Sequence, residues 1–82
     1  MKRRTMRIAA RADVQVWCEQ GRPVRLVVDH ERWRIIDTPT RSDGGRLFQS
    51  WRFTARSDVD HRTRVMDVEE VDGHWMLVAA WE

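Results

Sequence analysis

The 82-residue sequence has one cysteine, two prolines and no long apolar run. The single cysteine, Cys18, cannot form an intrachain disulfide, which is typical of proteins in a reducing compartment. No run approaches the roughly 20 apolar residues of a membrane helix, and the basic start, MKRRTMRIAARADV, lacks the apolar stretch of a secretory signal. We therefore expect a cytoplasmic protein without a membrane partner, held together by its hydrophobic core.

Tryptophan and arginine are what the chain has in quantity. Five Trp supply the large side chains that so short a domain needs for its core. Charge is segregated along the chain: residues 1–56 carry 13 basic and six acidic side chains, whereas residues 57–82 carry two basic and seven acidic ones. If the fold keeps these parts apart, one face suits a polyanion and another a basic partner; if the strands interleave, the charges cancel.

Alternation of apolar and polar residues predicts six short strands. They cover residues 14–19, 24–28, 31–38, 50–57, 62–71 and 74–82. Gly21 and Pro23 separate the first two strands, and Asp29-His30 and Asp72-Gly73 are expected to form tight hairpin turns. The last strand, HWMLVAAW, is apolar on both faces, so we expect it to be central or to close a barrel.

These strands predict an all-β fold, a small antiparallel barrel or coiled half-barrel of about six strands, which limits exposed sheet edges. Residues 1–13 are predicted to form a basic flexible arm, with a short helical turn through TMRIAARA, and residues 14–82 a single β domain. Residues 39–49 are predicted to form an irregular loop, because Asp43-Gly44-Gly45 supplies the backbone freedom of a turn. The edge strand Val14 to Glu19 leaves open whether the protein is a monomer or a weak homodimer.

Three segments carry a resemblance to a known family. They are GRPVRLVVDHERWRIIDTPTR at residues 21–41, SWRF at residues 50–53 and the terminal VDGHWMLVAAWE. In its Gly-Arg-Pro entry, Arg-aromatic-Arg strand and closing Trp-rich hairpin, the chain resembles a family of short, functionally uncharacterised actinobacterial proteins. Some members are found near error-prone DNA polymerases in gene order, so the resemblance implies a role near DNA damage tolerance and brings no catalytic residues.

The outward positions of the strands form a candidate binding surface. If residues such as Trp33, Phe53 and Leu77 point inward, the arginines between them point outward together. The surface consists of Trp17, Arg25, Arg32, Arg34, Arg52 and Arg56. Such a face can neutralise phosphates, and its Trp can stack a base or serve a protein interface. The ordinary interpretation, which the alternation itself favours, is a solvated face whose arginine stems cover apolar surface.

No spacing in the chain favours catalysis, a cofactor or a metal. Asp58, Asp60 and His61 share one loop but are too few for a defined cation site, and Cys18 has no base at a recognisable spacing. Our leading hypothesis is therefore a small, non-enzymatic protein-interaction module of unknown partner. The alternative is a nucleic-acid-binding accessory protein that uses the arginine face and the basic N-terminal arm.

Overall fold

The computed structural model describes residues 7–9, 12–43 and 49–82. Their strands are β1 (Arg7–Ala9), β2 (Ala12–Asp13), β3 (Gln15–Glu19), β4 (Arg22–Val28), β5 (Glu31–Ile35), β6 (Thr40–Asp43), β7 (Gln49–Ser57), β8 (Thr63–Val71) and β9 (His74–Trp81). All nine pair antiparallel in one sheet. Seven follow the order β1-β9-β8-β7-β5-β4-β3, while β2 pairs with β9 and β6 pairs with β7 beside this path. The described residues include no helix that is long and apolar enough to cross a membrane.

One continuous segment connects the two ends of this sheet. Its first part, β2, pairs with β9 at Ala12↔Leu77, and its second part, β3, pairs with β4 at Gln15↔Val27. Between them, the Val14 N–H donates to the Trp75 carbonyl at 3.3 Å. The sheet therefore coils on itself, and the predicted all-β half-barrel is confirmed. The last strand has neighbours on both sides, as its two apolar faces predicted.

Two-residue turns set the register of three hairpins. Their central residues all have positive φ: 52° and 77° at Gln20-Gly21, 52° and 67° at Asp29-His30, and 53° and 79° at Asp72-Gly73. Positive φ at both positions is the type I′ geometry, whose twist matches that of the flanking strands. The turns predicted at Asp29-His30 and Asp72-Gly73 are thus confirmed, and the register that they fix decides which side chains meet on the outer face.

The core lies on the concave side of the sheet. Trp33, Phe53, Met66 and Leu77 are each 2% exposed or less. Further buried apolar residues are Val14, Leu26, Trp51, Ala55, Val68, Ala79 and Ala80. Burial of these inward residues leaves their outward neighbours on the convex side, where the candidate surface lies.

Three sequence predictions are wrong in the structure. The helical turn through TMRIAARA is replaced at Arg7–Ala9 and Ala12–Asp13 by strands that pair with β9. An isolated helical turn is marginal in water, whereas the edge of β9 offers a row of backbone partners. The sheet consequently begins before residue 14. The remaining residues of the predicted flexible arm, 1–6, 10 and 11, lie outside the described residues.

The predicted loop at residues 39–49 contains a strand, because Thr40–Asp43 pairs with Gln49–Arg52 of β7. Residues 44–48 of that loop are not among those described. Pro23, predicted to separate two strands, instead lies buried inside β4. The register shifts there, between Trp17 and Cys18 of β3, and a bulge is one of the places where a strand accepts proline.

Candidate functional site

Three of the predicted surface arginines stand in one row across the sheet. Arg25 of β4 is in register with Arg34 of β5, and Arg34 is in register with Arg56 of β7. We call these three residues the arginine row. Trp17 of β3 is in register with Arg25 and extends the row onto a fourth strand. Since neighbouring strands lie about 4.8 Å apart, the line from Arg56 to Trp17 is roughly 15 Å long.

The arginine row is exposed and carries uncompensated charge. All three side chains are exposed, and no carboxylate of the described residues forms an ion pair with any of them. The nearby Asp37 accepts a hydrogen bond from the Thr54 backbone N–H at 2.8 Å instead. Like charges directly opposite each other destabilise a sheet. The row is therefore a stretch of positive potential without a bound counter-charge from the described part of the chain.

A shallow pocket of about 500 Å³ adjoins the row. Trp17, Arg25 and Arg34 line one part of it, and Arg32, which is in register with Val27 and exposed, lines another. Asp58 also borders the pocket, and its backbone N–H donates to the Arg32 carbonyl at 2.9 Å. The pocket thus combines an aromatic ring, several guanidinium groups and one carboxylate on the same face.

Arg52 lies apart from this group, although the sequence placed it on the same surface. Its guanidinium donates two hydrogen bonds to the Asp67 carboxylate, at 2.7 and 2.9 Å, and sits 5.2 Å from the centre of the Trp81 ring. The hydrogen bond that Arg52 donates to Asp67 raises the pKa of Arg52. Five of the six predicted surface residues are therefore brought together around the row and pocket, while Arg52 is neutralised on its own strand pair.

A cluster of ion pairs that the sequence patterns did not predict surrounds Arg62, next to Trp33. Arg62 pairs with Asp60 at 2.6 Å, Glu31 at 3.3 Å and Glu82 at 3.5 Å. Its guanidinium is also 5.7 Å from the centre of the Trp33 ring. The cluster links three segments of the chain through Glu31, Asp60 and Glu82. Because these carboxylates compensate the charge of Arg62, the cluster does not form a cationic surface. The partners of Arg62 are distant from one another in the sequence, so no local pattern could have predicted that they meet.

The loop of Asp58, Asp60 and His61, whose residues were too few to predict a cation site, takes part in the same cluster through Asp60. The Arg62 backbone N–H donates to Asp60 and holds the pKa of that carboxyl below its usual range. Buried Ser57 donates its hydroxyl to Glu31 and accepts the Val59 N–H at 3.1 Å. Within residues 7–9, 12–43 and 49–82, no group of three or more His, Cys, Asp or Glu is arranged to hold a metal ion.

Cys18 follows Trp17 on β3 but is not an activated nucleophile. Burial raises the pKa of the Cys18 thiol, and the charge of Glu70 raises it further. The thiolate is the reactive form, so a raised pKa leaves this group protonated at neutral pH. Another concave region, of about 620 Å³, lies beside Glu19, Arg22 and Asp37 and mixes both charge signs. Neither feature adds chemistry to the arginine row.

The fold and the row define a small all-β protein with a cationic outer sheet face. Comparison with models of known protein families, with curated proteins and with solved structures finds no match.

Proposed function

We propose that the protein binds nucleic acid through the arginine row. The observation that carries the proposal is the in-register placement of three exposed arginines without a described carboxylate partner. Directly opposed like charges destabilise the sheet, so the row does not contribute to the stability of the unbound protein. A bound polyanion removes that repulsion, and the released counterions drive its binding.

The other hypothesis, a module that recognises another protein, has less support in this geometry. Protein interfaces usually have an apolar centre surrounded by a polar rim. The large apolar side chains exposed among the described residues come from four separate segments: Trp17, Ile36, Val59 and Val71. Trp17 with its arginines suits a protein hot spot, but the partner would then be an acidic one. Charge, more than apolar area, characterises this face.

The proposal describes a binding protein without catalytic activity. The pocket beside the row contains no thiol, and the thiol of Cys18 is held protonated. The resemblance stated above, with its implied role near DNA damage tolerance, fits a nucleic-acid ligand and stays a prediction.

The test is a fluorescence-anisotropy titration of labelled single- and double-stranded DNA and RNA at about 50 and 200 mM salt. Three neutralised phosphates predict a slope of about −2 in log affinity against log salt, so affinity should fall by about 20-fold between these concentrations. Absence of binding at the lower salt would sink the proposal.

A matched pair of variants locates the binding surface. Arg34→Glu removes one phosphate contact and repels a second, so the affinity at about 50 mM salt should fall by at least tenfold and the slope by about 1.4. Arg22→Glu makes the same change in net charge at an exposed position outside the row and should have a much smaller effect. Equal losses in both variants would mean that net charge alone attracts the ligand. If an acidic polypeptide such as polyglutamate binds as tightly as nucleic acid, the partner is an acidic protein.

A further inference from the structure

We infer that the ligand is a single strand of nucleic acid that crosses β7, β5 and β4, with one base stacked on Trp17. The inference rests on the proposed function. It adds that the nucleic acid is single-stranded and that Trp17 recognises it by stacking on an unpaired base. The observation behind it is that the arginine row ends at an aromatic ring. In register across four strands, Arg56, Arg34 and Arg25 are followed by Trp17.

The exposure of Trp17 sets it apart from the other tryptophans. Trp33 and Trp51 are 2% and 7% exposed, and Trp75 and Trp81 are half-buried, whereas Trp17 is 47% exposed. An indole is usually well buried, because its large apolar surface gains most from leaving water. Base stacking on an exposed ring recovers that gain and tolerates any sequence, since every base has a π-face.

Trp17 borders the pocket next to an irregularity in the sheet. The register between β3 and β4 shifts directly after Trp17, because Trp17 faces Arg25 but Cys18 faces Pro23. The extra residue, Val24, lies on β4, and irregularities of this kind occur often beside functional sites. The ring borders the pocket of about 500 Å³ together with Arg25 and Arg34. When the phosphate of a nucleotide is bound at Arg25, its base can therefore reach the ring of Trp17 on the next strand.

The distribution of charge favours phosphates on the arginine row and a base in the adjoining pocket. The row itself contains no described carboxylate, whereas Asp58 borders the far part of the pocket, beside Arg32. A carboxylate repels phosphate but accepts hydrogen bonds from the amino groups of bases. The sugar-phosphate backbone is thus favoured on the row, and an uncharged base in the pocket.

The shape of the surface favours a single strand over a duplex. The row runs across the convex side of a coiled sheet, and the molecule measures only 25 × 22 Å across its shorter axes. A single strand can follow such a curved path along its length, whereas a duplex, which is stiff over about 150 base pairs, contacts a convex surface only over a short stretch. In a duplex, moreover, a base would have to leave its stack before it could reach Trp17, which costs free energy.

The experiment compares three labelled probes of about eight nucleotides: a DNA single strand, its duplex, and an abasic strand of the same charge. The single strand should bind at least about fivefold more tightly than the abasic strand, since each stacked base contributes roughly 5- to 150-fold in affinity. Trp17→Ala should lose that advantage for the single strand and leave affinity for the abasic strand unchanged. Trp17→Phe keeps a stacking face and should retain most of the affinity.

Val71→Ala is the matched control, because Val71 is 42% exposed and lies outside the pocket lining. It should bind all three probes like the parent protein. Equal affinity of the parent protein for the single and abasic strands overturns the inference and leaves the proposed function standing; so does duplex binding as tight as single-strand binding. Failure of all three probes to bind overturns the proposed function as well.

Discussion

The arginine row should cost the fold stability, and reversal of its central charge should recover it. Arg34 faces Arg25 on one side and Arg56 on the other. Arg34→Glu therefore replaces two contacts between like charges by two pairs of opposite charge. Each such cross-strand pair contributes roughly 0.2–1 kcal/mol, so together they should raise the free energy of unfolding by about 1 kcal/mol.

Thermal unfolding followed by circular dichroism measures this gain. For a domain of this size, about 1 kcal/mol corresponds to a rise in Tm of about 4–8 °C. The rise should shrink at high salt, because exposed charges are then screened. Arg32→Glu is the control: it makes the same change in charge on the same strand, but its partner in register is the uncharged Val27, so no gain is expected.

The same Arg34→Glu protein should bind nucleic acid more weakly while it unfolds at a higher temperature. Loss of binding could then not be attributed to loss of structure. A Tm at or below that of the parent protein at low salt would refute the argument, because it would show that the three guanidinium groups do not repel one another across the sheet.

Three further predictions concern the fold and its thiol. Leu26→Ala should lower the free energy of unfolding by about 2–5 kcal/mol in urea titrations, because Leu26 is fully buried, and Val59→Ala, at 74% exposure, should change it little. Gly73→Ala should cost about 1 kcal/mol in the same assay although there is space for the methyl group, because φ is +79° there; an unchanged midpoint would contradict the turn geometry. Alkylation of Cys18 should accelerate with pH over a higher range than that of a free cysteine, since burial and then Glu70 raise the pKa of its thiol; reaction over the ordinary range would contradict this.

Local patterns predicted strands most directly where burial alternates along the strand. In β7, for example, Trp51, Phe53 and Ala55 are buried, while Arg52 and Arg56 are exposed. Two-residue turns were also predictable, since Asp-Gly favours the positive φ that the type I′ turn needs. The strands at Arg7–Ala9 and Thr40–Asp43 were not, because each forms on the edge of a strand that is distant in sequence or beyond a glycine-rich stretch.

The candidate surface was predictable as a set of residues but not as an arrangement. Alternation placed the arginines outward, and they are exposed. Which of them meet depends on register: Arg34 and Arg56 are 22 positions apart in the sequence and become direct neighbours only because β5 pairs with β7. Arg52 has the same local pattern as Arg56, yet it faces Asp67. A sequence read strand by strand cannot distinguish these two arginines.

Topology explains why the segregated charge of the sequence survives in the folded protein. In a sheet of sequential hairpins, strands that are adjacent in the chain are mostly adjacent in space, so β3, β4 and β5 stay together and β8 and β9 stay together. The two parts of the sheet meet where β7 pairs with β8, and there Arg52 and Asp67 neutralise each other. On the same strand, Arg56 is in register with the uncharged Thr63 of β8, and Arg34 and Arg25 follow on the next two strands. None of these three arginines faces a described carboxylate in register. The row is therefore positive because the register places no described carboxylate opposite it, which is the condition under which a polyanion can bind there.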